Sequence, residues 1–146
     1  MKDVPSWTTY FREIALKAAS RSKDPSTNVG AVLVDKNKSI IETGYNGFPP
    51  GITDTRDRWQ RPTKYDYVVH AEQNAIARAA KAGKAVDGAD LYVTHFPCKE
   101  CAKIILASGV RRVYVDGGVA VMHNGADKDF VMSLFTESGV EIFYLP

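Results

Sequence analysis

His70-Ala71-Glu72 and Pro97-Cys98-Lys99-Glu100-Cys101 are the two segments that decide how this chain folds. The chain contains two cysteines, and both lie in the second segment. Imidazole and thiolate are typical ligands of Zn²⁺, and a site with three protein ligands keeps its fourth position open for water. Glu72 adds a carboxylate that can stay off the metal. Together the two segments predict an open, catalytic zinc site held by His70, Cys98 and Cys101.

The spacing within each segment supports this prediction. Cys98 and Cys101 are three positions apart, so at the start of a helix they share one face. The positive potential of a helix N-terminus favours their thiolate form. His70 is expected to open another helix, and junctions between strands and helices gather at the carboxyl edge of an α/β sheet, where ligands bind. Glu72, on the first turn of that helix, can then approach a bound water without binding the ion.

Apolar periodicity and turn residues outline the elements around the two segments. The pattern predicts helices over residues 7–20, 71–82, 98–108 and 127–138, and strands over residues 29–34, 39–45, 91–94, 112–115 and 141–145. The first two strands form a hairpin, and residues 46–69 are predicted to be a long irregular segment, which is usually functional or disordered. Helices and strands alternate after the hairpin. We therefore expect one domain over residues 1–146, an α/β fold with a three-layer α/β/α sandwich and a five-stranded mixed sheet.

The bulk composition excludes several functional classes. A length of 146 residues suits one domain with a real core, and 45% hydrophobic with 25% charged residues is ordinary for a globular protein. The chain has no apolar run long enough to span a bilayer and no apolar signal region at its start. We therefore expect a cytoplasmic protein without a membrane partner. The net charge of +2 does not favour binding to nucleic acid.

Each segment has a plainer interpretation when it is taken alone. A single C-x-x-C is also typical of thioredoxin-like redox proteins, and an isolated His-x-Glu is mostly chance. A closed structural zinc site would need a fourth ligand, but neither His95 nor His123 has ligand-like spacing. We expect His95 at a strand end beside the pocket and His123 on a loop surface. The combination of both segments favours catalytic zinc over these alternatives.

The two segments match the H-x-E and P-C-x-x-C pattern that is typical of zinc-dependent nucleobase deaminases. The chain resembles the cytidine deaminase superfamily and, within it, is most similar to the deoxycytidylate (dCMP) deaminases. The likeness runs from Tyr10 to Val140. Its most specific stretches are Arg21–Ser26, Gly44–Pro49, His70–Ile76 and Tyr92–Lys103. With two cysteines the chain is closer to the single-zinc members, and residues 116–126 depart from the ending expected for the family.

The resemblance implies hydrolytic deamination of dCMP to dUMP and ammonia, which feeds thymidylate synthesis. One Zn²⁺ per subunit would be held by His70, Cys98 and Cys101. Glu72 would carry the water proton to N3 of cytosine and then to the departing amine. The alternative within this chemistry is deamination of another nucleotide, nucleoside or base, such as dCTP or a purine. Outside it stand a zinc domain that binds a nucleotide without turnover and a redox protein that uses the two cysteines.

The resemblance also implies nucleotide contacts. Candidate substrate-binding residues are Ala71, Thr94 and Phe96 near the base, Asn46 at the sugar, and Ser22, Lys23 and Arg21 at the phosphate. Similar enzymes bind dCTP as an activator and dTTP as an inhibitor with Mg²⁺, in a homohexamer. Candidate effector-binding residues here are Gly44, Tyr45, Asn46, Gly47, Arg56 and Arg58. The plainer interpretations are a turn residue for Asn46, a solvated helix end for the basic residues after the first helix, and subunit contacts for the loop charges.

Overall fold

The computed structural model describes residues 1–117 and 125–146. His123 and most of the divergent segment 116–126 lie outside these residues. Within them the strands are β1 (Gly30–Val34), β2 (Ile40–Tyr45), β3 (Asp90–Val93), β4 (Arg112–Asp116) and β5 (Glu141–Leu145). The helices are α1 (Trp7–Ala19), α2 (Lys64–Tyr67), α3 (Ala71–Lys81), α4 (Lys99–Ala107) and α5 (Gly125–Ser138). Most boundaries differ from the predicted ones by one or two residues.

The strands form one five-stranded mixed sheet in the order β2-β1-β3-β4-β5, as predicted. β1 is antiparallel to both of its neighbours, whereas β3, β4 and β5 are parallel to one another. β2 therefore runs in the same direction as β3, with β1 reversed between them. This arrangement brings the carboxyl ends of β2 and β3 to the same end of the sheet, where the two motif segments follow them.

Helices cover both faces of the sheet, which confirms the predicted α/β/α layers. On one face, α3, α4 and α5 bury side chains such as Ala75, Ile105 and Phe135 against the strands. On the other face, α1 packs Phe11 and Ala15 against β1 and β3. These apolar side chains are fully or almost fully buried, and burial of each large one contributes about 1.5–3 kcal/mol.

Gly44 brings α3 unusually close to β2. A side chain at this position would collide with the backbone of Ala71 and Ala75. The missing Cβ therefore lets the first turn of α3 lie directly on the strand. Asn74, one turn further along, donates from its amide to the carbonyl of Tyr45 at 2.8 Å. Together these contacts fix the start of α3, and with it the position of Glu72, relative to the end of β2.

The long segment 46–69 is ordered around aromatic side chains. Phe48 stacks on Trp59 with ring centroids 4.1 Å apart and also contacts Tyr67 at 5.3 Å. α2 lies within this segment, so the expectation of an entirely irregular connection was wrong there. A helix of four residues is too short to show a helical period in the sequence. Among the described residues, every helix is too short or too polar to span a bilayer.

Candidate metal centre and active site

Three side chains converge at the shared end of β2 and β3. His70 precedes α3, and its Nδ1 lies 3.2 Å from the sulfur of Cys101 and 3.4 Å from that of Cys98. The three ligand atoms all lie within 4.8 Å of one another. Cys98 is the N-cap of α4, where its sulfur accepts a hydrogen bond from the Cys101 amide. The sequence spacing therefore places both thiols on one helical turn, facing the imidazole.

Local hydrogen bonds hold the imidazole in this position. The backbone N–H of His70 donates to Gln73 Oε1 at 3.0 Å, which is half of a capping box at the start of α3. A capping side chain at this position fixes the backbone from which the ring projects. The His70 side chain thus stands at an exposed rim, whereas Cys101 lies at the buried floor.

The donor set fits Zn²⁺. Tetrahedral zinc with sulfur and nitrogen ligands places those atoms roughly 3.3–3.8 Å apart, close to the observed separations. The pKa of the Cys98 thiol is lowered to about 3, chiefly because its sulfur is hydrogen-bonded by Cys101. The pKa of Cys101 is raised by its bond to Cys98 and by burial. A divalent cation is the partner that would let both sulfurs ionise.

Glu72 lies beside the two sulfurs on the first turn of α3. Glu72 is 4% exposed, and burial raises the pKa of its carboxyl group above the usual value. A hydrogen bond from its own backbone amide, the charge of His70 and a hydrogen bond with Cys101 act in the opposite direction but are weaker. A carboxyl group with a raised pKa is a stronger base than an ordinary carboxylate, which suits a residue that accepts and then releases a proton.

The metal centre forms one end of a cavity of about 760 Å³. This volume is within the range of small-molecule sites. His70, Glu72 and Cys98 line its metal end, with His95 and Phe96 beside them. Residues of the segment 24–29 and of α2 line the remainder, together with Asn46, Arg61, Val68 and Ala71. The predicted position of His95 beside the pocket is confirmed.

The predicted contacts of the base lie on or behind the cavity wall. Ala71 and Phe96 are buried residues that line it. Thr94 is buried behind them; its Oγ1 accepts from the Gly30 amide at 3.1 Å and lies 3.0 Å from His95 Nδ1. Thr94 therefore holds the end of β3 against the start of β1 and positions the His95 ring.

Asn46 lines the cavity, but its amide group is occupied by the protein. Its Oδ1 accepts from the Val29 amide and its Nδ2 donates to the Thr27 carbonyl, both at 2.8 Å. Within the described residues, Lys38 is the non-glycine residue with positive φ, so Asn46 is not a left-handed turn residue. Its amide instead ties the end of β2 to the connection between α1 and β1.

The residues predicted at the phosphate lie outside the described lining of this cavity. Ser22 Oγ donates to the Asn46 carbonyl at 2.8 Å. Lys23 forms an ion pair with Asp54 at 3.0 Å, and its side chain is 63% exposed. Arg21 is an exposed residue directly after α1. Ser22 therefore contacts Asn46 of the cavity wall, and Lys23 pairs with Asp54 of the long segment.

The residues predicted at an effector site have structural contacts of their own. Gly47 forms an isolated bridge with Val69, with N–O distances of 3.1 and 2.8 Å. Arg58 lies over the ring of Tyr67 at 4.8 Å and donates to the Thr53 carbonyl. The backbone carbonyl of Arg56 accepts from Gln60. Gly44 and Tyr45 pack β2 against α3, as described above.

A buried ion pair in the cavity wall was missed from the sequence. Lys64 Nζ lies 2.9 Å from Asp24 Oδ2, and each side chain is 4% exposed. Nζ also donates to Asp24 Oδ1 and to Ser26 Oγ. The partners are 40 positions apart in the chain, so no local spacing indicated the pair. From the sequence, Lys64 and Arg61 were identified only as charged residues of the long segment.

The α/β/α sandwich and a His-Cys-Cys centre beside a buried acid define a zinc-dependent hydrolase. More narrowly, the chain belongs to the family described as the cytidine and deoxycytidylate deaminase zinc-binding region, which matches residues 5–116. The matched range contains His70, Glu72, Cys98 and Cys101. The resemblance to deoxycytidylate deaminases that the motifs indicated is therefore confirmed.

Three relatives show how far this similarity extends along the chain. An uncharacterized deaminase in the luxG 3′ region of Aliivibrio fischeri is 37% identical over 145 residues, which cover 98% of this chain and 96% of that protein. Human deoxycytidylate deaminase is 44% identical over 117 residues, 76% of this chain and 65% of the human protein. The dCMP deaminase of the cyanophage S-TIM5, solved with dCMP and dUMP, has a TM-score of 0.78 and 30% identity, covering 99% of this chain and 100% of that one.

Proposed function

We propose that this protein is a zinc-dependent deaminase that hydrolyses dCMP to dUMP and ammonia. The observation that carries the proposal is the buried Glu72 carboxyl group beside His70, Cys98 and Cys101, at the end of a cavity of nucleotide size. The human and cyanophage relatives are named for action on dCMP, and the cyanophage structure holds both dCMP and dUMP. These similarities support dCMP as the substrate over another nucleotide or a free base.

The proposed mechanism assigns each reacting proton to one carboxyl group. His70, Cys98 and Cys101 would hold Zn²⁺, which when bound lowers the pKa of water to about 7 and so would supply hydroxide at neutral pH. Glu72 accepts the proton of the attacking water and delivers it to N3 of cytosine. The water oxygen bonds to C4, and Glu72 then takes the remaining hydroxyl proton from that oxygen and passes it to the amino nitrogen as the C4–N bond breaks. Water and cytosine become uracil and ammonia, so atoms and protons balance.

The residues that line the cavity support a set of proposed nucleotide contacts. We assign Ala71, Thr94 and Phe96 to the pyrimidine and Asn46 to the sugar hydroxyl. Ala71 and Phe96 present apolar surface, whereas Thr94 acts through His95. Asn46 Oδ1 accepts one hydrogen bond from the Val29 amide and has a second lone pair. That lone pair would accept a hydrogen bond from the sugar hydroxyl. The assignment of Ser22, Lys23 and Arg21 to the phosphate stays a prediction.

Regulation, assembly and location belong to the same proposal. We expect a cytoplasmic, one-domain enzyme that forms a homo-oligomer, a hexamer by resemblance, and has no nucleic-acid partner. Two thiols arranged for a metal rather than a disulfide suit a reducing compartment. Binding of dCTP or dTTP with Mg²⁺ near Gly44–Gly47, Arg56 and Arg58 stays a prediction that kinetics with these effectors would check.

A substrate panel with the zinc-loaded enzyme tests the proposal. Ammonia release is measured with dCMP, CMP, dCTP, deoxycytidine and a purine nucleotide, and dCMP is expected to have the highest kcat/KM. Glu72→Gln should retain zinc and lower kcat by about 10²–10⁴-fold. Glu100→Gln is the matched control. Glu100 lies between the two cysteines in the sequence, but its carboxylate is exposed and pairs with Lys103. A purine preference, or a Glu72→Gln variant as active as the parent, would contradict the proposal.

A further inference from the structure

Apart from the residues of the metal centre, the described cavity lining carries two basic side chains, Arg61 and Lys64, and one acidic side chain, Asp24. Of these, Lys64 and Asp24 neutralise one another at 2.9 Å. All three protons of the Lys64 ammonium group are used, two on Asp24 and one on Ser26 Oγ. If Lys64 turned to another anion, the buried Asp24 carboxylate would lose its counter-ion. Lys64 is therefore committed to the protein and is unsuited to bind a substrate anion.

Arg61 lines the same wall and has no such commitment. Its residue is exposed, and Nη2 donates to Ser26 Oγ at 3.3 Å. Among the described residues, no carboxylate lies within ion-pair distance of its guanidinium group. A guanidinium group has five N–H donors in a planar fork that matches two oxygens of a phosphate. The contact with Ser26 uses one of these donors.

The other cations near this region are engaged elsewhere. Lys23 is paired with Asp54 and is not part of the described lining. Arg58 lies over Tyr67 and binds a backbone carbonyl. Lys128 lies over the rings of Phe96 and Tyr144, at 5.6 and 5.5 Å. Of the described residues that line the cavity, Arg61 is thus the cation without an anionic partner.

We propose that Arg61 binds the 5′-phosphate of the substrate and makes the enzyme select a nucleoside monophosphate over the corresponding nucleoside. The inference rests on the proposed function, because it takes the metal end as the site of the base. Ser26, held by Asp24 and Lys64, orients the guanidinium group from behind. The buried ion pair therefore acts as the support of the phosphate site, and Arg61 is its ligand.

The test compares two arginine variants with a lysine control. Arg61→Ala should raise KM for dCMP roughly 10- to 100-fold, the cost of losing hydrogen bonds to a charged group, with KM for deoxycytidine unchanged. Arg61→Lys should recover part of this loss, because it keeps the charge but not the fork. Lys84→Ala is the lysine control: it pairs with Glu42 at 3.8 Å, lies outside the described cavity lining, and should change neither substrate's KM by more than about twofold. Thermal unfolding and zinc content of each variant verify that the fold is intact.

Binding of the product separates this proposal from the proposed function. Calorimetry with dUMP and deoxyuridine should show that Arg61→Ala loses affinity for dUMP alone, whether or not dCMP is the best substrate. Equal effects of Arg61→Ala on the phosphorylated and unphosphorylated compounds, or no effect on either, would overturn the role of Arg61. A selective loss in Lys23→Ala with none in Arg61→Ala would also overturn it and would assign the phosphate to Lys23.

Discussion

The two ends of the cavity are built in different ways. At the metal end, His70, Glu72, Cys98 and Cys101 lie at the starts of two helices, and each helix follows its own strand. At the other end, Asp24, Ser26 and Lys64 come from distant connections and are joined by hydrogen bonds between buried polar groups. The first end depends on backbone geometry and on a metal, whereas the second depends on charge pairing. Substitutions at the metal end should therefore lower catalytic activity, whereas substitutions at the other end should lower stability.

The largest expected effect is on catalysis at the metal end. Cys101→Ala removes a buried ligand, so the site should lose zinc. The kcat should then fall by more than about 10³-fold, because without zinc there is no hydroxide for Glu72 to act on. Metal content and ammonia release measure this. Lys99→Ala is the matched control, since that side chain lies between the ligands but is 53% exposed. A Cys101→Ala variant with full zinc content would show that the ligand set is wrong.

The next effect should appear in stability at the other end. Asp24→Asn leaves the buried Lys64 ammonium group without a counter-ion, and breaking a buried pair in this way costs about 3–5 kcal/mol in the free energy of unfolding. Denaturation of the zinc-loaded protein in urea measures it. Asp54→Asn, which breaks the exposed pair with Lys23, should cost no more than about 1 kcal/mol.

The double variant Asp24→Asn/Lys64→Met sharpens this result. Removal of both charges avoids an uncompensated ion, so the double variant should be more stable than Asp24→Asn alone. Strict additivity of the two single changes would mean that the pair is not coupled. Charge pairing would then not be what stabilises this end of the cavity.

These differences explain how much could be predicted from the sequence. The metal end was predictable because its spacing is local: Cys98 and Cys101 are one helical turn apart, and Glu72 follows His70 on the same helix. The mixed sheet followed from alternation of apolar strands and helices. The Asp24–Lys64 pair and the position of Arg61 are set by tertiary packing of the segment 46–69, and no periodicity records which charges meet. For the same reason, the sequence favoured Lys23 as a phosphate ligand and gave no signal for Arg61.

Acid should narrow the stability difference between the parent and Asp24→Asn. Burial alone would raise the pKa of Asp24, but hydrogen bonds from Ser26, Lys64 and Thr27 outweigh it, and the pKa lies below its usual value. A lowered folded-state pKa stabilises the protein above the unfolded value, about 3.9, and this contribution is lost as the pH falls through the folded-state pKa. Urea unfolding at successive pH values below about 4 should show the gap closing by at most about 1.4 kcal/mol per pH unit. A gap that stays constant to the lowest pH would mean that Asp24 is not the group that titrates.

The smallest effect should come from Arg58→Ala. The guanidinium group lies 4.8 Å from the centroid of the Tyr67 ring at a partly exposed position, where a cation–π contact contributes about 0.5–1 kcal/mol. Removal should therefore lower the free energy of unfolding by about that amount and leave kcat and KM for dCMP unchanged. Kinetics with dCTP or dTTP plus Mg²⁺ then distinguish a packing role from the predicted effector role. If the parent responds to these nucleotides and Arg58→Ala does not, then Arg58 binds the effector and the segment 46–69 does more than shape the cavity; an equal response in both proteins limits Arg58 to its contact with Tyr67.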